Sequence, residues 1–181
     1  MITTMRQVCQ YIGQTIKKQP LCIETGSAYV IQETNLIHTT TNNIVEHICV
    51  PNKGVLFSLD IDAGHQTLAN YACSDKSSVV FLYGDSVDSL RALSRLELSV
   101  DLLCLDSAEF DEDHMVREFD AIHHSLNREK HFILVDDIHN PNSVKFKKMV
   151  PLLKKYSYNF IEIGTPTGLF VAAKGYKLPS Q

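Results

Sequence analysis

Residues 158–175, YNFIEIGTPTGLFVAAKG, hold two apolar segments, about 158–163 and 168–174, around a Thr-Pro-Thr-Gly turn. A connection this short cannot carry a parallel crossover, so the two segments must pair as an antiparallel hairpin. Upstream the rhythm differs. Continuous apolar runs at 21–25 (LCIET), 55–60 (VLFSLD), 78–83 (SVVFLY), 101–106 (DLLCLD) and 131–136 (HFILVD) read as strands buried on both faces. Helical patterns fall between them at about 41–50, 64–73, 86–95, 111–127 and 142–156, after a first helix at 4–18 that Pro20 stops. In the 111–127 segment Met115, Phe119, Ile122 and Leu126 form one apolar stripe. Alternating β and α elements wind right-handed crossovers onto both faces of a parallel sheet. The expected fold is therefore α/β and doubly wound in three layers. Its seven-stranded sheet is mostly parallel and ends in the antiparallel hairpin.

The bulk numbers bound the function. At 181 residues, 44% hydrophobic and 21% charged, the composition is that of a globular chain. It is expected to form a single domain over 1–181, with 1–19 as an N-terminal helix. The net charge is −4 and no Lys/Arg run exceeds two residues, so a nucleic-acid partner is not expected. The first twenty residues contain no apolar h-region, and no apolar run approaches the ~20 residues that span a bilayer. Neither a signal peptide nor a membrane partner is expected. The five cysteines (Cys9, Cys22, Cys49, Cys73, Cys104) form no C-x-x-C pair, which fits a reducing, cytoplasmic setting.

In an open α/β sheet, ligands bind beyond the carboxyl ends of the strands. Five strands here end in polar or acidic residues: Glu24, Asp60, Gly84-Asp85, Asp106 and Asp136-Asp137. The first runs into Glu24-Thr25-Gly26-Ser27, a tight turn with one glycine rather than the three of a dinucleotide loop. Tyr29 and Val30 would crowd a diphosphate, and no P-loop is present. The ligand should have an adenosine-like part without a diphosphate.

This order of elements over about residues 20–175 resembles the class I S-adenosylmethionine-dependent methyltransferases, which have a Rossmann-like fold. The resemblance implies cofactor contacts at Glu24, Gly26 and Ser27 after strand one. It implies ribose binding by Asp60, with Asp62 as a second candidate, and adenine binding at Gly84, Asp85 and Ser86. Asp106 falls at the transfer site. One departure is the stretch SAYVIQETNLIH, read as an insertion at 27–38 that delays the next helix.

Asp106, Asp136 and Asp137 offer three hard oxygen donors suited to Mg²⁺, Mn²⁺ or Ca²⁺. They resemble the acids of metal-dependent O-methyltransferases, in which the cation activates a bound hydroxyl. Asp106 is then ligand, base or both. The lysine that catechol-type enzymes place three residues after this acid is Glu109 here, so a substrate-activating lysine is not expected. In sugar-modifying enzymes a second aspartate follows by two residues; here that position is Ala108. The alternative for the pair is that Asp137 caps the following loop and Asp136 faces a backbone amide. His139 is a candidate base or extra ligand. His114, His123 and His124 are expected on a solvent-exposed helix face, and His38 and His65 near the cofactor rim.

The expected function is methyl transfer to a hydroxyl of a small molecule. The alternatives are a metal-independent N-methyltransferase and a non-catalytic protein working through an interface. Apart from the first helix and the insertion no lid is apparent, so a homodimer that completes the acceptor pocket is a further expectation.

Overall fold

The computed structural model describes residues 2–16, 18–27, 40–108 and 110–179. Helix α1 (Met5–Thr15) starts at Thr4, whose hydroxyl accepts from Gln7 N, and leads into β1 (Leu21–Thr25). Next comes a helical run: α2 (Thr40–Ile44), a π turn (Val45–Cys49) and α3 (Val50–Asn52). Then follow β2 (Val55–Asp60), α4 (Ala63–Ala72), β3 (Val79–Tyr83), α5 (Ser86–Ser94) and β4 (Leu102–Leu105). The chain closes with α6 (His114–Ile122), β5 (His131–Asp136), α7 (Phe146–Lys155), β6 (Asn159–Ile163) and β7 (Leu169–Lys174).

The seven strands run in the order β3-β2-β1-β4-β5-β7-β6. β7 is antiparallel to both β5 and β6, and the other neighbours are parallel. The hairpin turn supplies the reversal. Gly168 takes φ +76 there and donates from its N to Thr165 O, a conformation that costs glycine little. The expected strands and helices all occur, with ends displaced by up to a few residues. The largest difference is the 111–127 helix, which begins only at His114 and passes into a 3-10 turn at His123–Ser125.

Continuous apolar strands make two cores, one on each face. Cys22, Leu102, Phe132 and Leu134 pack with α1 and the π turn on one side. Ile23, Leu103, Ile133 and Val135 pack with α5, α6 and α7 on the other. All eight of these strand residues are fully buried. Since successive side chains alternate faces, one run such as Cys22-Ile23 feeds both layers. The chain order reverses between β1 and β4, and that crevice at the strands' carboxyl ends is where this fold places a ligand. Among the described residues no helix is long and apolar enough to cross a membrane. Of the 27–38 insertion only Ser27 is described; the rest, with His38, lies outside the described residues.

Candidate functional site

A cavity of about 790 Å³ opens at that crevice. Its floor is the β1 turn. Gly26 has φ +79, and a Cβ there would stand 2.6 Å from Asp106 O. The absent side chain thus lets β1 and β4 close up beneath the cavity. Gly26 N donates to Leu59 O at 2.8 Å, tying the turn to β2 as well.

One wall comes from the end of β2. Asp60 lines the cavity, with Oδ2 accepting from Ser27 N (2.8 Å) and Oδ1 from Asp62 N (2.7 Å). His65 Nδ1 lies 3.4 Å from Asp60 Oδ2, near the rim as expected. Each carboxylate oxygen can accept more than one hydrogen bond, so Asp60 has capacity left for hydroxyl donors. Asp62 caps α4 through Gly64 N and His65 N and also lines the cavity. Ile61, 67% exposed, and Phe110, 81% exposed, face the same space. Two large apolar side chains left in water at one cavity provide faces for a flat ligand.

The opposite wall is built on Glu118, a buried carboxylate on α6. It accepts from the hydroxyls of Ser86, Ser107 and Thr25. His114 Nε2 lies 3.2 Å from Glu118 Oε1, and this contact raises the imidazole above its ordinary value. Ser86, Ser107 and His114 all line the cavity. Glu118 thus fastens the turns after β1, β3 and β4 to one another. Sequence reasoning missed it, and placed His114 on a solvent-exposed face, which the structure corrects. Glu118 shares the buried stripe of Met115, Phe119 and Ile122, where an acid among apolar neighbours is the available signal.

Asp106 and Asp137 both line the cavity at the ends of β4 and β5. Between them lies a residue that sequence reasoning did not identify. Lys145, completely buried, donates from Nζ to Asp106 Oδ1 at 2.7 Å and stands 3.5 Å from Asp137 Oδ2. Burial works against its charge, but Asp106, Asp137 and Asp136 outweigh this and hold it above the ordinary lysine value. Burial pushes the Asp106 carboxyl up, opposed by Lys145 and reinforced by Asp136 and Asp137. Lys145 stands at i, i+4 and i+8 with the buried Met149 and Leu153, the one local sign that it faces inward.

Several expected site residues are placed differently. Glu24 is fully buried beneath the floor rather than on it. Its Oε2 accepts from Thr41 (2.7 Å) and Ser58 (2.9 Å), and Ser58 meets Ser27 at 2.9 Å. Gly84 is not in the lining; its N donates to Asp60 O, while Asp85 and Ser86 reach the cavity. His139 is half-exposed, 3.8 Å from Glu162, with its ring against Gly168 of the hairpin turn and outside the cavity lining.

The expected metal set finds no support. Asp136 Oδ1 accepts from Asp137 N, which fits the loop-forming alternative. An ammonium already stands between Asp106 and Asp137, and a divalent ion there would meet its charge at contact distance. Among the described residues no three His, Cys, Asp or Glu side chains are arranged to hold a metal ion. The donor set does not fit a divalent cation.

No protein-family model and no curated protein matches this sequence. Solved structures do match its fold. A protein from Corynebacterium glutamicum superposes with a TM-score of 0.68 at 15% identity, over 99% of this chain and 85% of that one. A precorrin-6y C5,15-methyltransferase from Geobacter metallireducens gives 0.63 at 12%, over 93% and 85%. A methyltransferase from Geobacter sulfurreducens gives 0.66 at 11%, over 97% and 81%. The chain has the Rossmann-like fold of the class I methyltransferases, as its sequence pattern led one to expect.

Proposed function

We propose that this chain is an S-adenosylmethionine-dependent methyltransferase that transfers a methyl group to a hydroxyl of a small molecule. The observation carrying this reading is the glycine-floored cavity at the β1/β4 switch point of a methyltransferase fold, with Asp60 on one wall and Asp106 at its end. Gly26 and Ser27 would face the methionine part, Asp60 and Asp62 the ribose hydroxyls, and Ile61, Asp85 and Ser86 the adenine. When bound, the cofactor supplies a methyl group on sulfonium sulfur, which an in-line nucleophile can displace. The protein's own share is orientation and electrostatics. Asp106 has Oδ1 on Lys145 and lines the cavity, so its carboxylate can accept a hydrogen bond from the acceptor hydroxyl and hold that proton.

A second reading, transfer to an amine, is favoured by the charge of the lining. Asp60, Asp62, Asp85, Asp106 and Asp137 face the cavity, whereas no lysine or arginine among the described residues does. Assays with matched hydroxyl and amine acceptors separate the two.

The cofactor part is tested by titration calorimetry with S-adenosylhomocysteine. Asp60→Ala is expected to weaken binding by roughly 1.5–3 kcal/mol, the value of hydrogen bonds to a charged group. A wild-type protein that takes up no ligand at millimolar concentration would sink the reading.

A further inference from the structure

In metal-dependent methyl transfer to oxygen the cation neutralises carboxylates that would otherwise repel, and it fixes their positions. Here a side chain is placed to do both. Lys145 lies just before α7, and its ammonium reaches Asp106 at the end of β4 and Asp137 in the loop after β5. It has no exposed surface. A fully buried lysine stays charged where acids surround it, and two ionised acids that face one cavity repel each other unless a cation stands between them. The contacts also account for the loop. Asp137 takes φ +60, a strained value for a non-glycine residue, while its carboxylate sits within reach of Lys145 and its N donates to Asp136.

We propose that Lys145 is the resident cation of the transfer end: it stands where a divalent ion would stand, positions Asp106 and Asp137 without metal, and excludes metal from them. Its importance for turnover rests on the methyltransferase reading; its exclusion of metal does not. Lys145 is a positioning residue, acting through Asp106. Removing the ammonium should uncover the cation site that the three aspartates suggest.

The experiment compares the full-length wild type with Lys145→Met in chelator, Mg²⁺, Ca²⁺ or Mn²⁺, reading thermal unfolding and the free Mn²⁺ electron-spin-resonance signal. In the wild type, millimolar metal should move the melting temperature by less than about 1 °C and leave the Mn²⁺ signal undiminished. Lys145→Met should melt lower in chelator, gain roughly 3–6 °C on adding metal, and take up Mn²⁺. Adding Asp106→Asn to that variant should abolish the gain. A wild type that binds Mn²⁺ stoichiometrically overturns the proposal, as does a folded Lys145→Met that ignores metal. Should Lys145→Met fail to fold, the wild-type Mn²⁺ measurement decides alone in either direction. S-adenosylhomocysteine binding by the same samples keeps the two readings apart. Loss of ligand binding in the wild type counts against the methyltransferase, and metal uptake by the wild type counts against Lys145.

Discussion

Gly26→Val is expected to reduce S-adenosylhomocysteine affinity at least about 100-fold, to or below the detection limit of calorimetry. Two independent costs meet at this position. The backbone takes φ +79, which a β-branched residue resists by roughly 1–2 kcal/mol. The new Cβ would also stand 2.6 Å from Asp106 O and 2.9 Å from Asp106 C, both backbone atoms that cannot rotate away. Relief requires the carboxyl ends of β1 and β4 to separate, and that movement carries Asp106 with it. The substitution should therefore damage the floor and the transfer end together, and lower the melting temperature by about 5–10 °C. Gly164→Ala serves as the control, since a Cβ there meets nothing within 4 Å. Affinity in Gly26→Val within about threefold of the wild type would remove the turn from the cofactor site.

The same glycine shows how far the sequence could be read. The E-x-G step after an apolar strand marked the floor because a tight turn there has few chemical solutions. The hairpin was as legible, because the Thr165–Gly168 turn admits only an antiparallel return. Strand-end acids were legible as a rim, but not one by one. Glu24 and Asp60 end neighbouring strands in the same way, yet one is sealed under the floor and the other lines the wall. Which occurs depends on partners brought from elsewhere: Thr41 and Ser58 for Glu24, Ser27 and Asp62 for Asp60. Lys145 was hidden by the same logic. It precedes Lys147 and Lys148, as on a solvated helix start, and its partner Asp106 lies across a crossover connection that local spacing does not report. The three aspartates asked for a cation, and chemistry alone pointed to a metal. Only the folded arrangement brings up a lysine in its place.

Glu24 gives the second large effect, in stability against pH. Burial, opposed by the hydroxyls of Thr41 and Ser58 and reinforced by Asp106 and Asp60, pushes its carboxyl from 4.5 to about 8. Its Oε1 has no hydrogen-bond partner among the described residues, so nothing solvates the second half of the charge. Between those two values the folded chain holds a proton that the unfolded chain has released. Stability must then fall as pH rises from about 4.5 towards 8, by something on the order of 4 kcal/mol over the window, and level off above it. Glu24→Gln keeps an oxygen for Thr41 and Ser58 and cannot ionise. At pH 5 the variant and the wild type should melt within a few degrees of each other, since a neutral acid and an amide present similar groups. At pH 9 the variant should melt about 10 °C higher. Melting curves taken at both values check this, and a wild type that equals or exceeds the variant at pH 9 would show that the buried carboxylate is charged at little cost. The site itself gives a reason to keep so costly a group. Ser27 donates to Ser58 and Ser58 to Glu24, so the acid anchors the wall that Ser27 presents to the cavity. A stabilised Glu24→Gln that also binds S-adenosylhomocysteine more weakly would be the mark of a residue held for function against stability.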